Sequence, residues 1–97
     1  MATDEDDDVI VMPIEDSIDL HTFVPREIPD VVESYLEAAV EHGFDEVRII
    51  HGRGKGVQRA RVRAVLERSR YVEDYRDGTA QRGGWGAQIV WLRRPDR

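Results

Sequence analysis

Two residues suited to acid–base work stand one residue apart in Ile18-Asp19-Leu20-His21. A third closes the apolar run Val47-Arg48-Ile49-Ile50-His51, immediately before Gly52-Arg53-Gly54-Lys55-Gly56. In an extended segment successive side chains alternate, so Asp19 and His21 leave one face while Ile18 and Leu20 leave the other. A strand that empties through glycines into a helix start exposes backbone N–H groups and the positive end of the helix dipole. That arrangement receives a phosphate. Lys55 and Arg53 add charge within the loop, and Arg59 and Arg63, one turn apart on the following helix, extend the track. It is not a Walker A loop, because Val57 follows Gly56 where a hydroxyl is needed. A plain turn also uses glycine for positive φ, but three glycines alternating with two bases after a histidine exceed what a turn requires.

Phosphodiester cleavage needs a base to activate water or a ribose 2′-hydroxyl, an acid for the leaving oxygen, and cations for the developing charge. Asp19, His21 and His51 meet that need if the first two strands end side by side, as ligands in open α/β sheets collect beyond the carboxyl ends of strands. The same three side chains are equally a donor set for a divalent ion such as Mg²⁺ or Mn²⁺. The plain alternative is that Asp19 caps a loop and the histidines are satisfied surface residues. A third segment, Gly83-Gly84-Trp85-Gly86, sets an indole among glycines. Trp85 either stacks on a base, as in single-strand binders, or folds back over the sheet edge.

The elements that must position these residues follow from periodicity. Ile18–His21 reads as a short strand, and Pro25 and Pro29 fit a loop and the first turn of a helix. Ile28, Val31, Val32, Tyr35, Leu36, Ala39 and Val40 recur at helical spacing, with Glu33, Glu37 and Glu41 on the wet side and Gly43 as the stop. Glu46–His51 is a β-branched strand. A second helix runs from about Val57 to Ser69, with Val62, Val65 and Leu66 as its buried stripe and Arg59, Arg61, Arg63 and Arg68 on its other faces. Tyr71–Arg76 reads as a third strand, residues 78–84 as a loop, and Ala87–Leu92 as the last strand. The order β-α-β-α-β-β predicts a two-layer α/β sandwich: two crossover units with neighbouring parallel strands, then a hairpin-like pair.

Composition bounds the rest. At 97 residues the chain is one domain at most, there is no cysteine, and so disulfides and thiolate metal sites are excluded. No apolar run approaches the roughly 18 residues of a membrane span, and Asp4-Glu5-Asp6-Asp7-Asp8 is the opposite of a secretory signal. A soluble, cytoplasmic monomer without membrane contact is expected. Residues 1–13 are expected to form an acidic, disordered leader, in which Val9–Ile14 either adds an edge strand or packs on the domain formed by residues 14–97. The net charge of −6 alone argues against a polyanion partner, yet it is unevenly spread. Residues 1–46 carry 15 acids and one base, Arg26, whereas residues 47–97 carry 13 bases and 5 acids. These balances of −14 and +8 suit either a polyanion-binding surface in an acidic protein or simple pairing of acids with bases across the fold.

Taken together, the three segments resemble the signatures of the small MutS-related (Smr) domain. Ile18-Asp19-Leu20-His21 is similar to its LDLHG segment. Val47–Gly56 is similar to the strand followed by HGKGxG, and Gly83-Gly84-Trp85-Gly86-Ala87 to its glycine-rich third segment. The resemblance covers residues 17–93 and is nearest to the form at the C-terminus of bacterial MutS-related proteins. It implies a fold like the C-terminal domain of bacterial translation initiation factor three. It also implies nucleic-acid binding, with nicking or endonuclease activity on DNA or RNA in several members, in repair, recombination or ribosome quality control. Carried over by position, Asp19 and His21 match the first signature. His51, Gly52, Gly54 and Lys55 match the second, and Gly83, Gly84 and Gly86 the third. Thr22 stands where the family usually has glycine, which narrows the site or adds a hydroxyl. The resemblance supports binding more firmly than cleavage, and a non-catalytic module docking on structured RNA, a ribosome or branched DNA is the competing expectation.

Overall fold

A computed structural model of the chain describes residues 14–52, 56–79, 81 and 84–93, with the side chain of Trp85 outside that set. The acidic leader, with its apolar stretch up to Pro13, lies outside the described residues, as do Arg53, Gly54, Lys55 and Gly83.

The elements follow the expected order: β1 (Ser17–Asp19), α1 (Ile28–His42), β2 (Glu46–Ile50), α2 (Val57–Arg68), β3 (Val72–Asp77) and β4 (Ala87–Leu92). A 3-10 turn at Pro25–Glu27 leads into α1, and another at Gly84–Gly86 leads into β4. Helix α1 buries Ile28, Val32, Tyr35, Leu36 and Ala39, the stripe its spacing dictates. It stops at Gly43, whose φ of 100° lets its N–H reach Val40 O at 3.1 Å while the Phe44 N–H reaches Ala39 O at 3.1 Å. This is the paired closure that a left-handed C′ glycine permits. Helix α2 buries Val62, Val65 and Leu66.

The four strands form one sheet in the order β1-β2-β4-β3. β1 pairs with β2 in parallel, and β4 runs antiparallel to both β2 and β3. The first crossover and the final antiparallel pair are therefore as expected. The second crossover is not, because β4 inserts between β2 and β3. The reason lies in burial. In β3 the positions Glu73, Asp74, Arg76 and Asp77 are exposed, and such a strand is tolerated at an edge. In β4 five of six positions are buried, which demands neighbours on both sides.

Register separates the two faces of the sheet. Val47, Ile49, Val90, Leu92 and Val72 join the buried side chains of both helices in a single core. Gln88 lies opposite Ile49 and Asp77, and so falls on that helix-covered face. Asp19 lies opposite Ile50, whose own partner on β4 is Ala87, and so falls on the other face. Among the described residues no helix is long and apolar enough to cross a membrane.

Candidate functional site

The end of β1 is fixed by Leu20, which is 2% exposed and donates its backbone N–H to Ile50 O at 2.8 Å. The chain then turns, with the Phe23 N–H bonded to Leu20 O at 3.0 Å and Thr22 exposed within the turn. Inside this turn Asp19 Oδ1 accepts the backbone N–H of His21 at 3.0 Å and lies 2.7 Å from His21 Nδ1. A carboxylate only accepts, so Nδ1 carries the proton and Nε2 of the neutral ring is a bare acceptor. The hydrogen bonds from His21, ring first and backbone second, hold the Asp19 carboxyl below the usual aspartate range. The pair is open to solvent, with side-chain exposures of 72% for His21 and 50% for Asp19.

The end of β2 is built differently. His51 is buried at 6% exposure, and its Nδ1 lies 2.7 Å from Gly52 O. The carbonyl can only accept, so Nδ1–H donates and Nε2 is left facing Gln88 Nε2 at 3.5 Å. Gln88 is fully buried and donates from the same amide nitrogen to Asp77 Oδ1 at 2.7 Å. Asp77 in turn accepts Arg59 as a fork, Nε to Oδ1 at 3.0 Å and Nη2 to Oδ2 at 2.7 Å, while Arg63 Nη1 stands 3.6 Å from Oδ1. Arg59 and then Gln88 hold the Asp77 carboxyl below its ordinary range. Burial is the main cause pushing His51 below its ordinary value, against the opposing hydrogen bond to Gly52. The Gln88 side-chain oxygen is buried with no hydrogen-bond partner.

The glycine-rich segments meet through one carbonyl. Gly86 O accepts the backbone N–H of His51 at 3.0 Å and of Gly52 at 2.9 Å, which joins the second segment to the third. Gly52 and Gly56 have φ of 83° and 84°, and Gly84 has 57°, conformations that favour glycine. A Cβ at Gly52 would meet nothing within 4 Å, so backbone conformation alone asks for glycine there.

β1 ends at Asp19, two residues short of the expected end at His21, so the turn that follows, rather than strand alternation, brings Asp19 and His21 together. His51 ends the adjacent strand but turns to the helix-covered face, and among the described residues no hydrogen bond or ion pair joins it to the Asp19–His21 pair. Arg59 and Arg63 lie on one side of α2 and share Asp77. Sequence reading missed Asp77 and Gln88. The available signals were an amide in the otherwise apolar run Ala87–Leu92 and an acid closing a strand before Gly78. Among the described residues no group of three or more His, Asp or Glu side chains could hold a metal ion. The Asp19–His21 pair offers two donors, fewer than the three protein ligands of catalytic zinc sites. Mg²⁺ is often held by one or two carboxylates together with substrate phosphates, so a divalent ion is a condition to vary in assays.

Comparison with known proteins agrees with this architecture. Residues 18–93 match the Smr domain family. Endonuclease MutS2 of Fusobacterium nucleatum is 36% identical over 81 residues, which cover 84% of this chain and 10% of that protein. Endonuclease MutS2 of Halalkalibacterium halodurans is 45% identical over 62 residues, covering 64% of this chain and 8% of the relative. The chain therefore spans only about a tenth of the length of these curated relatives. The Smr domain of Thermus thermophilus MutS2 has a similar structure, with a TM-score of 0.77 and 33% identity, over 81% of this chain and 99% of that one. YdaL, a stand-alone small MutS-related protein from Escherichia coli, gives 0.70 and 30%, over 84% of this chain and 66% of its own. The signatures, the sheet order and these matches agree: the chain belongs to the Smr domain family.

Proposed function

We propose that this chain binds nucleic acid and cleaves its phosphodiester backbone, with His21 as the proton-transfer group and Asp19 as the residue that orients it. The observation that carries the reading is the 2.7 Å contact between His21 Nδ1 and Asp19 Oδ1 on a histidine that is 72% exposed. That contact keeps the proton on Nδ1 and leaves Nε2 toward solvent as a base. Nε2 takes a proton from water or a ribose 2′-hydroxyl, and the nucleophile's oxygen bonds to phosphorus. The bond from phosphorus to the leaving oxygen breaks, and the proton on Nε2 is returned to that oxygen. The amides of Gly52–Gly56, with Arg53 and Lys55, steady the phosphate at the start of α2. Gly83, Gly84 and Trp85, from the third signature segment, are the further candidates for contact with the nucleic acid. His51 is buried and committed to Gly52, which suits holding the loop better than moving protons. The curated relatives are named endonucleases, which supports the reaction class.

The test is cleavage of end-labelled duplex DNA, branched DNA and structured RNA, with and without Mg²⁺ or Mn²⁺, alongside binding measured on the same samples. His21→Ala is expected to lower turnover by about 10²–10⁴ while binding persists. Binding without cleavage of any substrate under any ion condition would leave a recognition module instead, in which Asp19 and His21 are contacts.

A further inference from the structure

The polar chain from α2 into the core assigns Asp77 a part that neither the family signatures nor the acid–base pair includes. Its carboxylate meets the Arg59 guanidinium edge-on through two parallel hydrogen bonds, 3.0 and 2.7 Å, the geometry with which arginine also grips a phosphate. Arg63, one turn further along α2, approaches the same Oδ1 at 3.6 Å. All three side chains are reachable from solvent, at 30% exposure for Arg59, 36% for Arg63 and 37% for Asp77. The two sides of the contact differ in freedom. Asp77 is fastened from beneath by the fully buried Gln88 at 2.7 Å, and the next residue, Gly78, is tied by its N–H to Ala87 O at 3.0 Å. The guanidinium groups sit on long, flexible stems. An arriving anion therefore meets a carboxylate tied to the sheet and arginines whose heads can swing on their stems, Arg63 while its guanidinium lies over the Tyr75 ring at 5.0 Å.

We propose that Asp77 is a built-in stand-in for a phosphate, holding Arg59 and Arg63 in the free protein and releasing them to the backbone of a bound nucleic acid. Asp77 thereby sets the affinity and salt dependence of the interface. The inference rests on the nucleic-acid-binding reading above. A carboxylate that only braced α2 against β3 would change stability when replaced and leave affinity no more altered than any other surface aspartate does.

The test is fluorescence anisotropy with labelled single-stranded and duplex oligonucleotides of about 20 nucleotides, long enough to cover one small domain. A salt series compares the full chain, Asp77→Asn, Arg59→Gln, the double variant, and Asp74→Asn as the measure of generic charge removal. Asp77→Ser is the substitute if Asp77→Asn fails to melt cooperatively. Asp77→Asn is expected to tighten binding about tenfold more than Asp74→Asn. The log–log salt slope should steepen by about one phosphate contact. Both gains should vanish when Arg59 is already glutamine. A full chain that binds, with Asp77→Asn no tighter than Asp74→Asn, overturns the proposal and leaves the binding reading intact, and so does a gain that persists without Arg59. No binding by the full chain or Asp77→Asn at the lowest salt overturns both readings.

Discussion

Two histidines follow neighbouring strands of one sheet, and their surroundings are opposite. His21 is 72% exposed and held by a carboxylate, whereas His51 is 6% exposed and held by a backbone carbonyl. In each the proton sits on Nδ1. At His21 the bare Nε2 looks into solvent, where a substrate can bring a proton to it. At His51 the bare Nε2 looks at Gln88, inside the protein. Residue type fixes what a histidine can do, and burial fixes whether anything outside can use it. The same contrast extends to their partners. Asp19 serves one ring within a turn, while Asp77 links a buried amide to two arginines on a helix.

That contrast predicts opposite phenotypes. The largest expected effect is on turnover, where His21→Ala falls by about 10²–10⁴ with an unchanged melting temperature. His51→Ala should do the reverse and lose stability first, because it opens a hole beside Gln88 and strips a partner from it. A loss of about 1–3 kcal/mol is expected, and each kcal/mol lowers the melting temperature of a domain this size by roughly 4–8 °C. If the two substitutions gave the same pattern in cleavage and melting, the division of labour would be wrong.

Acidification sharpens the comparison next. Burial keeps the folded-state affinity of His51 for a proton below that of the unfolded chain, whose value is about 6.5. The unfolded state therefore binds more protons as pH falls below 6.5, so this group's contribution to stability falls with it, until the folded form protonates as well. Chemical denaturation at pH 7, 6 and 5 should show a shallower loss of stability in His51→Ala than in the full chain. Asp77 acts in a lower window. Its folded-state value is depressed, so its contribution is present above about 3.8, the ordinary aspartate value, and is lost as pH falls through the folded value. The smallest effect is expected at Gly52, where alanine meets no atom and suffers only from the positive φ. About 1–2 kcal/mol is the cost for an L residue there, read as a shift in denaturation midpoint without a change in slope.

Much of the molecule is legible along the chain because its causes are local. The α1 stripe, its stop at Gly43 and the extent of β4 follow from spacing and from one glycine's conformational freedom. The Asp19–His21 contact is local as well, but its cause is a turn rather than a shared strand face: an aspartate accepts the backbone N–H two residues on, and the ring of His21 follows. The insertion of β4 between β2 and β3 was written in burial rather than connectivity. The charges of Val72–Asp77 suit an edge and the apolar run Ala87–Leu92 suits an interior. Reading connectivity alone makes β3 the neighbour of β2.

Gln88 shows where such reading stops. Its amide bridges Asp77, 11 residues away, and His51, 37 away, and no periodicity links these positions. It lies opposite Asp77 only because β4 pairs with β3, and opposite Ile49, two residues before His51, only because β4 also pairs with β2. The sequence by itself determined the order of the elements, the family signatures and the closeness of Asp19 to His21, all of which depend on neighbours within a few residues. Tertiary structure alone decided that His51 faces inward and that Asp77 gathers two arginines. Those facts depend on which strands lie side by side, and strand order is settled by burying apolar surface across the whole sheet rather than by any one segment.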